Sequence, residues 1–157
     1  MITVFLPYSG AQHSTETINE LNSCGLISKI YLLSNKKFNE VPHNCEILEV
    51  PDLTSTATIE MIRDKTETNY ICLFTHDNHF QFGQYAVERF YNVINSTGAA
   101  LVYSNFFDKK ENEISKHPVN DYQIGSLRDD FDFGYMMFIK SEFLKKYKSE
   151  QQYKFAS

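Results

Sequence analysis

The sequence contains no tryptophan and few of the residues that interrupt regular structure, with 6 glycines and 4 prolines among 157 residues. The glycines form neither G-x-G-x-x-G nor G-x-x-x-x-G-K-[ST], which excludes the two common glycine-rich phosphate loops. The 3 cysteines, Cys24, Cys45 and Cys72, are widely spaced and show no metal-ligand pattern. An odd number of such cysteines predicts reduced thiols rather than a disulfide framework.

Positive charge is scarce as well, because 15 lysines and arginines face 20 acids, for a formal net charge of -5. This balance excludes a nucleic-acid partner, which would need a basic surface. A nucleotide-sized ligand remains compatible, since a loop or a metal ion can hold a phosphate in an acidic protein. No run approaches the roughly 20 apolar residues of a membrane span, and the N-terminus lacks a signal peptide's basic region. We therefore predict no transmembrane segment and a cytoplasmic location.

What the chain does have is short apolar runs that alternate with helical patterns. The runs cover residues 2–6, 30–33, 45–50, 70–74, 100–103 and 135–139. This alternation predicts one α/β domain over residues 1–157, with three layers: a mostly parallel central sheet and helices on both faces. Residues 105–132 are polar and predict a long excursion from the sheet, and residues 151–157 predict a frayed end.

Helix boundaries follow from capping residues and apolar spacing. Ser14 is expected to cap the first helix, and Thr54 or Ser55 the second. The spacing of apolar residues predicts a third helix over 81–97. Ser141 is expected to cap a closing helix that runs to residue 147.

The ligand crevice of a parallel sheet lies beyond the carboxyl ends of its strands. Pro7 and Tyr8 follow the first strand and could hold a flat base; a plain turn is the simpler explanation. Ser34 and Asn35 follow the second strand and could bond a base or ribose, although a solvated turn is the simpler explanation of this loop.

The richest cluster of chemical groups follows the fourth strand. There Asp77 is a candidate ligand for Mg²⁺ or Mn²⁺, which prefer oxygen ligands and share them with substrate phosphates. His76 and His79 are a weak zinc signal. The alternative is that Asp77 caps the next helix.

A second acidic cluster lies at residues 125–134. Asp129, Asp130 and Asp132 could bind a metal, accept sugar hydroxyls or supply a base, while Arg128 could reach a phosphate or pair with an aspartate. A solvated acidic turn is the ordinary explanation.

Taken in order, the segments 4–8, 30–35, 70–78, 82–105 and 135–144 resemble the amino-terminal half of family 2 glycosyltransferases with the GT-A (nucleotide-diphospho-sugar transferase-like) fold. The match includes Val102-Tyr103-Ser104-Asn105, which is similar to the family's Val-Tyr-Ser-Asp. The chain departs from the family where Thr75 replaces the first acid of Asp-x-Asp and where Ser34 and Asn35 replace the acids of the base-binding turn. The family's Ala-Arg-Asn stretch aligns with Thr58-Ile59-Glu60, so its arginine is missing here. The family's base generally follows the last strand. Three alternatives follow: the acceptor-side segment is truncated, the protein is a reduced relative, or Asp129, Asp130 or Asp132 serves as the base.

The resemblance implies metal-assisted, inverting transfer of a sugar from a nucleoside-diphosphate sugar to an acceptor, with Mn²⁺ or Mg²⁺ bridging the phosphates. The acceptor would be a carbohydrate or lipid-linked hydroxyl, as in bacterial polysaccharide biosynthesis. Two alternatives stay open: a non-catalytic nucleotide-sugar-binding module or scaffold subunit, and an unrelated nucleotidyltransferase. The donor-binding residues implied by the resemblance are Pro7, Tyr8, Ser34, Asn35, His76, Asp77 and Arg128.

Overall fold

A computed structural model describes residues 1–111, 113–125, 127–128 and 131–155. Within them the main sheet contains β1 (Ile2–Pro7), β2 (Ile27–Ser34), β3 (Cys45–Glu49), β4 (Tyr70–Phe74), β5 (Leu101–Val102) and β8 (Met136–Lys140). A separate hairpin is formed by β6 (Phe106–Lys110) and β7 (Glu113–His117). The helices are α1 (Gln12–Ser23), α2 (Thr56–Lys65), α3 (Ala86–Thr97) and α4 (Ser141–Lys145).

The main sheet has the strand order β3-β2-β1-β4-β8-β5. The pairings from β3 to β4 are parallel, and β8 lies antiparallel between β4 and β5. The predicted mostly parallel sheet is therefore confirmed. The strand order reverses at β1: β2 and β3 are added on one side of β1, and β4 is added on the other side.

Each face of the sheet has its own core. Val4 and Leu6 of β1 pack with residues of α1 and α3, including Ile18 and Ile94. Phe5, which points the opposite way, packs with residues of α2 and α4. Because both faces are covered, the central strands β1 and β4 are largely apolar, and the expected three layers are confirmed.

The third helix begins later than the sequence predicts. It starts at Ala86, and Tyr85 before it has a φ of 58°. The N–H of Phe80 donates to Thr17 Oγ1 (3.0 Å), and the N–H of Phe82 donates to Glu20 Oε2 (3.1 Å). The predicted first turn is wrong because side chains of α1 bind these amides and keep Phe80 and Phe82 out of a helix.

Two of the other capping predictions are wrong and one is confirmed. Ser14 lies inside α1, which starts at Gln12, and Lys140 occupies the N-cap of α4. Ser55 caps α2 by accepting a hydrogen bond from the N–H of Thr58 (3.3 Å).

The two segments expected to lack regular contacts are ordered in part. The excursion after β5 contains the β6–β7 hairpin. The predicted fraying near the C-terminus is wrong for residues 151–155, because the N–H of Thr56 donates to the Tyr153 carbonyl (2.9 Å) and Thr56 Oγ1 accepts from the N–H of Tyr153 (3.0 Å). No helix within the described ranges is long and apolar enough to cross a membrane.

Candidate functional site

The loops after β1 and β4 meet where the strand order reverses. Such a point is where ligands bind in open α/β sheets, in the crevice outside the carboxyl ends of the strands. Asp77 lies here, three residues after β4, beside Ser9 of the loop after β1. The sheet topology thus brings together two segments that the sequence singled out separately.

The Asp77 carboxylate fastens three parts of this crevice together. Its Oδ2 accepts from the backbone N–H of Ser9 (2.8 Å), and its Oδ1 accepts from Ser14 Oγ (2.7 Å). His13 Nε2 lies 3.3 Å from Oδ1 and 3.0 Å from the Asp77 carbonyl oxygen. The Asp77 side chain is 16% exposed, so it faces the protein more than the solvent.

Asp77 does not cap the helix that follows it, because α3 begins at Ala86. It lies instead against the first turn of α1. That turn contains no acid of its own, and its N-cap, Ala11, forms no side-chain cap. An acid near a helix N-terminus is favourable because it faces the positive end of the macrodipole.

Asp77 was predicted to bind a metal ion, and the groups around its carboxylate limit how it could do so. A carboxylate has about four acceptor positions, so the hydrogen bonds leave room on Asp77 for one further ligand. In the described part of the chain, no group of three or more His, Cys, Asp or Glu side chains is arranged to hold a metal. Mg²⁺ is commonly bound through one or two carboxylates plus substrate phosphates. Asp77 therefore fits an ion that a diphosphate shares, and not a metal site made by the protein alone.

The opposite end of the crevice is lined by aromatic rings. The N–H of Tyr8 donates to the Leu33 carbonyl (2.9 Å), which ties the end of β1 to β2. The Tyr8 ring lies 4.8 Å from that of Phe38. Burial and the neighbouring Cys45 and Asp77 raise the pKa of the Tyr8 hydroxyl, so it stays protonated and able to donate.

Phe38 was not identified from the sequence, where it is one aromatic residue in a polar loop. Its ring covers Gly10, whose φ is +84°; a Cβ added there would lie 2.7 Å from Phe38 Cε1. The close approach of ring and backbone therefore requires glycine at this position. Pro7 is the last residue of β1, and Tyr8 directly follows it.

The two predicted residues after β2 have different surroundings. Ser34 is 4% exposed, and its hydroxyl accepts from the N–H of Lys36 (3.3 Å). Its carbonyl accepts from the N–H of Val50 (2.9 Å), so Ser34 has a role in the turn itself. Asn35 is exposed.

A column of ring contacts leads from the end of β4 to the hairpin; the first two contacts are tilted and the last is stacked. The His76 ring lies 4.8 Å from that of Tyr135, which lies 4.7 Å from Phe106. Phe106 in turn stacks on His117 at 4.2 Å. His76 Nδ1 also lies 2.8 Å from Thr75 Oγ1. The column connects the predicted donor side to the segment of the second acidic cluster.

His117 joins two carboxylates at the far end of this column. Its Nδ1 lies 2.9 Å from Asp108 Oδ2, and its Nε2 lies 2.9 Å from Asp132 Oδ2. These bonds raise the pKa of His117. The pKa of Asp132 is lowered by the N–H of Gly134, which donates to Oδ1 (2.7 Å), and by His117. We call this group the Asp–His–Asp cluster.

One of the predicted candidates for the catalytic base, Asp132, belongs to this cluster. A low pKa makes Asp132 a weak proton acceptor near neutral pH. The sequence did not indicate His117, because its two hydrogen-bond partners lie on another strand and in the segment before β8. Asp129 and Asp130 lie outside the described residues, and Arg128 is exposed.

A separate cleft of about 230 Å³ lies between the end of α1 and the start of α3. Its lining includes Glu20, Cys24, Phe82, Tyr85 and Glu88. None of the residues predicted from the sequence to bind the donor is among those that line it.

Comparisons with protein families, with curated proteins and with solved structures find no significant match to this chain.

Proposed function

We propose that the crevice at the carboxyl ends of β1, β2 and β4 binds a nucleoside-diphosphate sugar, and that the chain is a glycosyltransferase similar to family 2 with a GT-A-type fold. The observation that supports this most is the meeting of Ser9 and Asp77 at the reversal point of the sheet. That point is the preferred ligand position of such sheets.

In this proposal the ligand extends along the strand ends. Tyr8 and Phe38 offer aromatic surface for the base, with Pro7, Ser34 and Asn35 around its edge. Asp77 and His76 face the diphosphate and ribose. A bound Mn²⁺ or Mg²⁺ would offset diphosphate charge and act as a Lewis acid toward the leaving group.

The acceptor, a carbohydrate or lipid-linked hydroxyl, would approach from the side of Arg128 and Asp132. A carboxylate takes the hydroxyl proton, and the oxygen forms a bond to the anomeric carbon. The bond from that carbon to the diphosphate breaks, and the nucleoside diphosphate leaves with the electron pair. Arg128 is proposed to contact donor phosphate. We leave the base unassigned, with Asp129, Asp130 and Asp132 as its candidates.

The second candidate function is a nucleotide-sugar-binding module without turnover, alone or as a scaffold subunit. The observation that favours it is the use of Asp77: both carboxylate oxygens already accept hydrogen bonds from the protein. The low pKa of Asp132 also favours it, because the described member of the acidic cluster is a poor base.

Thermal unfolding with UDP, GDP and their sugars, each with and without Mn²⁺, tests the proposal. A ligand at about 100 times its Kd adds about 2.7 kcal/mol to the unfolding free energy, which is roughly 5 to 10 °C in Tm for a chain of this size. We expect one base to give a Mn²⁺-dependent shift. Release of free nucleoside diphosphate with an added acceptor then separates enzyme from binding module.

Asp77→Ala should abolish the shift, but it also removes a structural contact. Ser14→Ala is the matched control, because it breaks one of the hydrogen bonds that Asp77→Ala removes and keeps the carboxylate. Losing that hydroxyl should lower the unfolding free energy by about 1 kcal/mol and leave the ligand shift intact. If no nucleotide stabilises the parent chain, the donor-site proposal fails. If Ser14→Ala abolishes the shift as well, Asp77 affects ligand binding by holding the loops in position and not by contacting the ligand.

A further inference from the structure

The β6–β7 hairpin has one face packed on the protein and one face in solvent. In its register, Phe107 pairs with Lys116 and Lys109 pairs with Ile114. Paired residues share a face and successive residues alternate between faces, so these four side chains lie on the same side. We call this side the outer face. The opposite, inner face includes Phe106 and His117, which contact Tyr135 and Asp132.

The outer face exposes its apolar side chains. Phe107 is 65% exposed and Ile114 is 68% exposed. A lone two-stranded hairpin is marginally stable in water, so the inner-face contacts hold this one in position. Phe107 and Ile114 lie mostly outside that packing.

Charge is divided between the two faces. The acids within the strands, Asp108 and Glu113, lie on the inner face, where Asp108 bonds His117 and Glu113 is paired in register with Lys110. Both charges of the outer face are lysines, and in the part of the chain that the structure describes neither Lys109 nor Lys116 forms an ion pair. The outer face therefore combines two exposed apolar side chains with two positively charged lysines.

We propose that the outer face, Phe107, Lys109, Ile114 and Lys116, binds the surface of a bilayer that contains anionic lipid. Apolar side chains enter the boundary of headgroups and acyl chains, and lysines beside them attract lipid phosphates. The chain as a whole carries a charge of -5, so general attraction does not draw it to such a surface and the oriented face must do so.

The size of the patch favours a lipid surface over a protein. A stable protein interface buries about 1,200 to 2,000 Å² with complementary shape, which four side chains do not provide. A bilayer makes no demand for a matching shape. The inner face leads through Phe106 and Tyr135 to His76, so binding would hold the strand-end crevice near the lipid. A lipid-linked acceptor would be met there, although the inference does not depend on the proposed transferase activity.

Co-sedimentation with vesicles tests the inference, with phosphatidylcholine alone compared with phosphatidylcholine plus phosphatidylglycerol. We expect partitioning into the anionic vesicles only, weakening as salt rises. Lys109→Gln/Lys116→Gln should reduce the partition coefficient by about fivefold for each lysine. Phe107→Ser/Ile114→Ser should reduce it by about tenfold or more.

Matched variants elsewhere separate this face from general effects. Lys145→Gln/Lys148→Gln makes the same charge change at other exposed lysines, and Leu53→Ser/Val93→Ser removes apolar side chains that are 45% and 43% exposed. Both should bind like the parent. Far-ultraviolet circular dichroism checks that every variant is folded.

Three outcomes would overturn the inference. The first is that the parent chain binds neither vesicle, and the second is that the outer-face variants bind as well as the controls. The third is a concentration-dependent dimer that the Phe107→Ser/Ile114→Ser variant abolishes in the absence of lipid, which would assign the face to a second copy of this chain.

Discussion

His117 shows how a single residue can tie separate segments together. It contacts Asp108 across the hairpin and Asp132 in the segment before β8. Two carboxylates acting on one imidazole favour the charged ring, since both nitrogens then donate. The contribution of this residue to stability must therefore depend on pH.

The signs of the two pKa shifts define the pH range. The pKa of Asp132 is lowered from 3.8, so its contribution is present above 3.8 and is lost as pH falls through the folded-state value. The pKa of His117 is raised from 6.5, so its contribution is complete below 6.5 and is lost as pH rises through the folded-state value. The Asp–His–Asp cluster is most stabilising between these limits.

We predict that the difference in Tm between the parent chain and His117→Gln is largest between pH 3.8 and 6.5. It should shrink at more acid pH and above the raised pKa of His117. Tm measured across pH checks this, with His43→Gln as the control because His43 is exposed. A difference that does not vary with pH would show that His117 acts only through the packing of its ring on Phe106.

At the scale of elements, the segment between β4 and α3 depends most on contacts distant in sequence. It runs along α1, with Asp77 at Ser14, Phe80 at Thr17 and Phe82 at Glu20. Apolar spacing within residues 81–97 predicted a helix throughout. Hydrogen bonds from another helix outweighed that local preference in the first part, as tertiary contacts commonly do.

We predict that Thr17→Val lowers the unfolding free energy by about 1 to 3 kcal/mol, because it nearly keeps the shape of a fully buried residue and leaves the N–H of Phe80 without its acceptor. Urea unfolding measures the change, and hydrogen exchange at the Phe80 amide should become faster. Thr15→Val, at an exposed position of the same helix, is the control and should change little. An equal loss in both variants would indicate an effect on helix propensity rather than on the hydrogen bond.

At the scale of the whole molecule, the antiparallel strand β8 joins the parallel strands to β5. Its Phe138 is fully buried and stacks at 5.7 Å from Tyr70 and at 6.2 Å from Phe90. The side chain thus connects β4, β8 and α3 in one core. A domain's net stability is about 5 to 15 kcal/mol, so losing this contact should lower the unfolding free energy of the whole domain.

We predict that Phe138→Ala lowers the unfolding free energy by about 3 to 5 kcal/mol, through lost burial and the cavity left behind. Phe107→Ala removes the same ring from an exposed position and should change stability by about 0.5 kcal/mol or less. Urea unfolding followed by circular dichroism compares the two. Similar losses would show that Phe107, and with it the hairpin, contributes more to the stability of the core than the exposure of its side chain indicates.

The sequence by itself determined the alternation of strands and helices, the mostly parallel sheet and a cap for α2 at Thr54 or Ser55, because periodicity and capping are properties of neighbouring residues. It also indicated Asp77 and Tyr8 as residues at strand ends. Only the tertiary structure decided what those ends meet: the partners of Asp77 are 63 and 68 residues away in sequence. The same holds for Phe38 over Gly10, for His117 between two aspartates and for the exposed side of the hairpin. Their contacts depend on strand order and register, which no local pattern encodes.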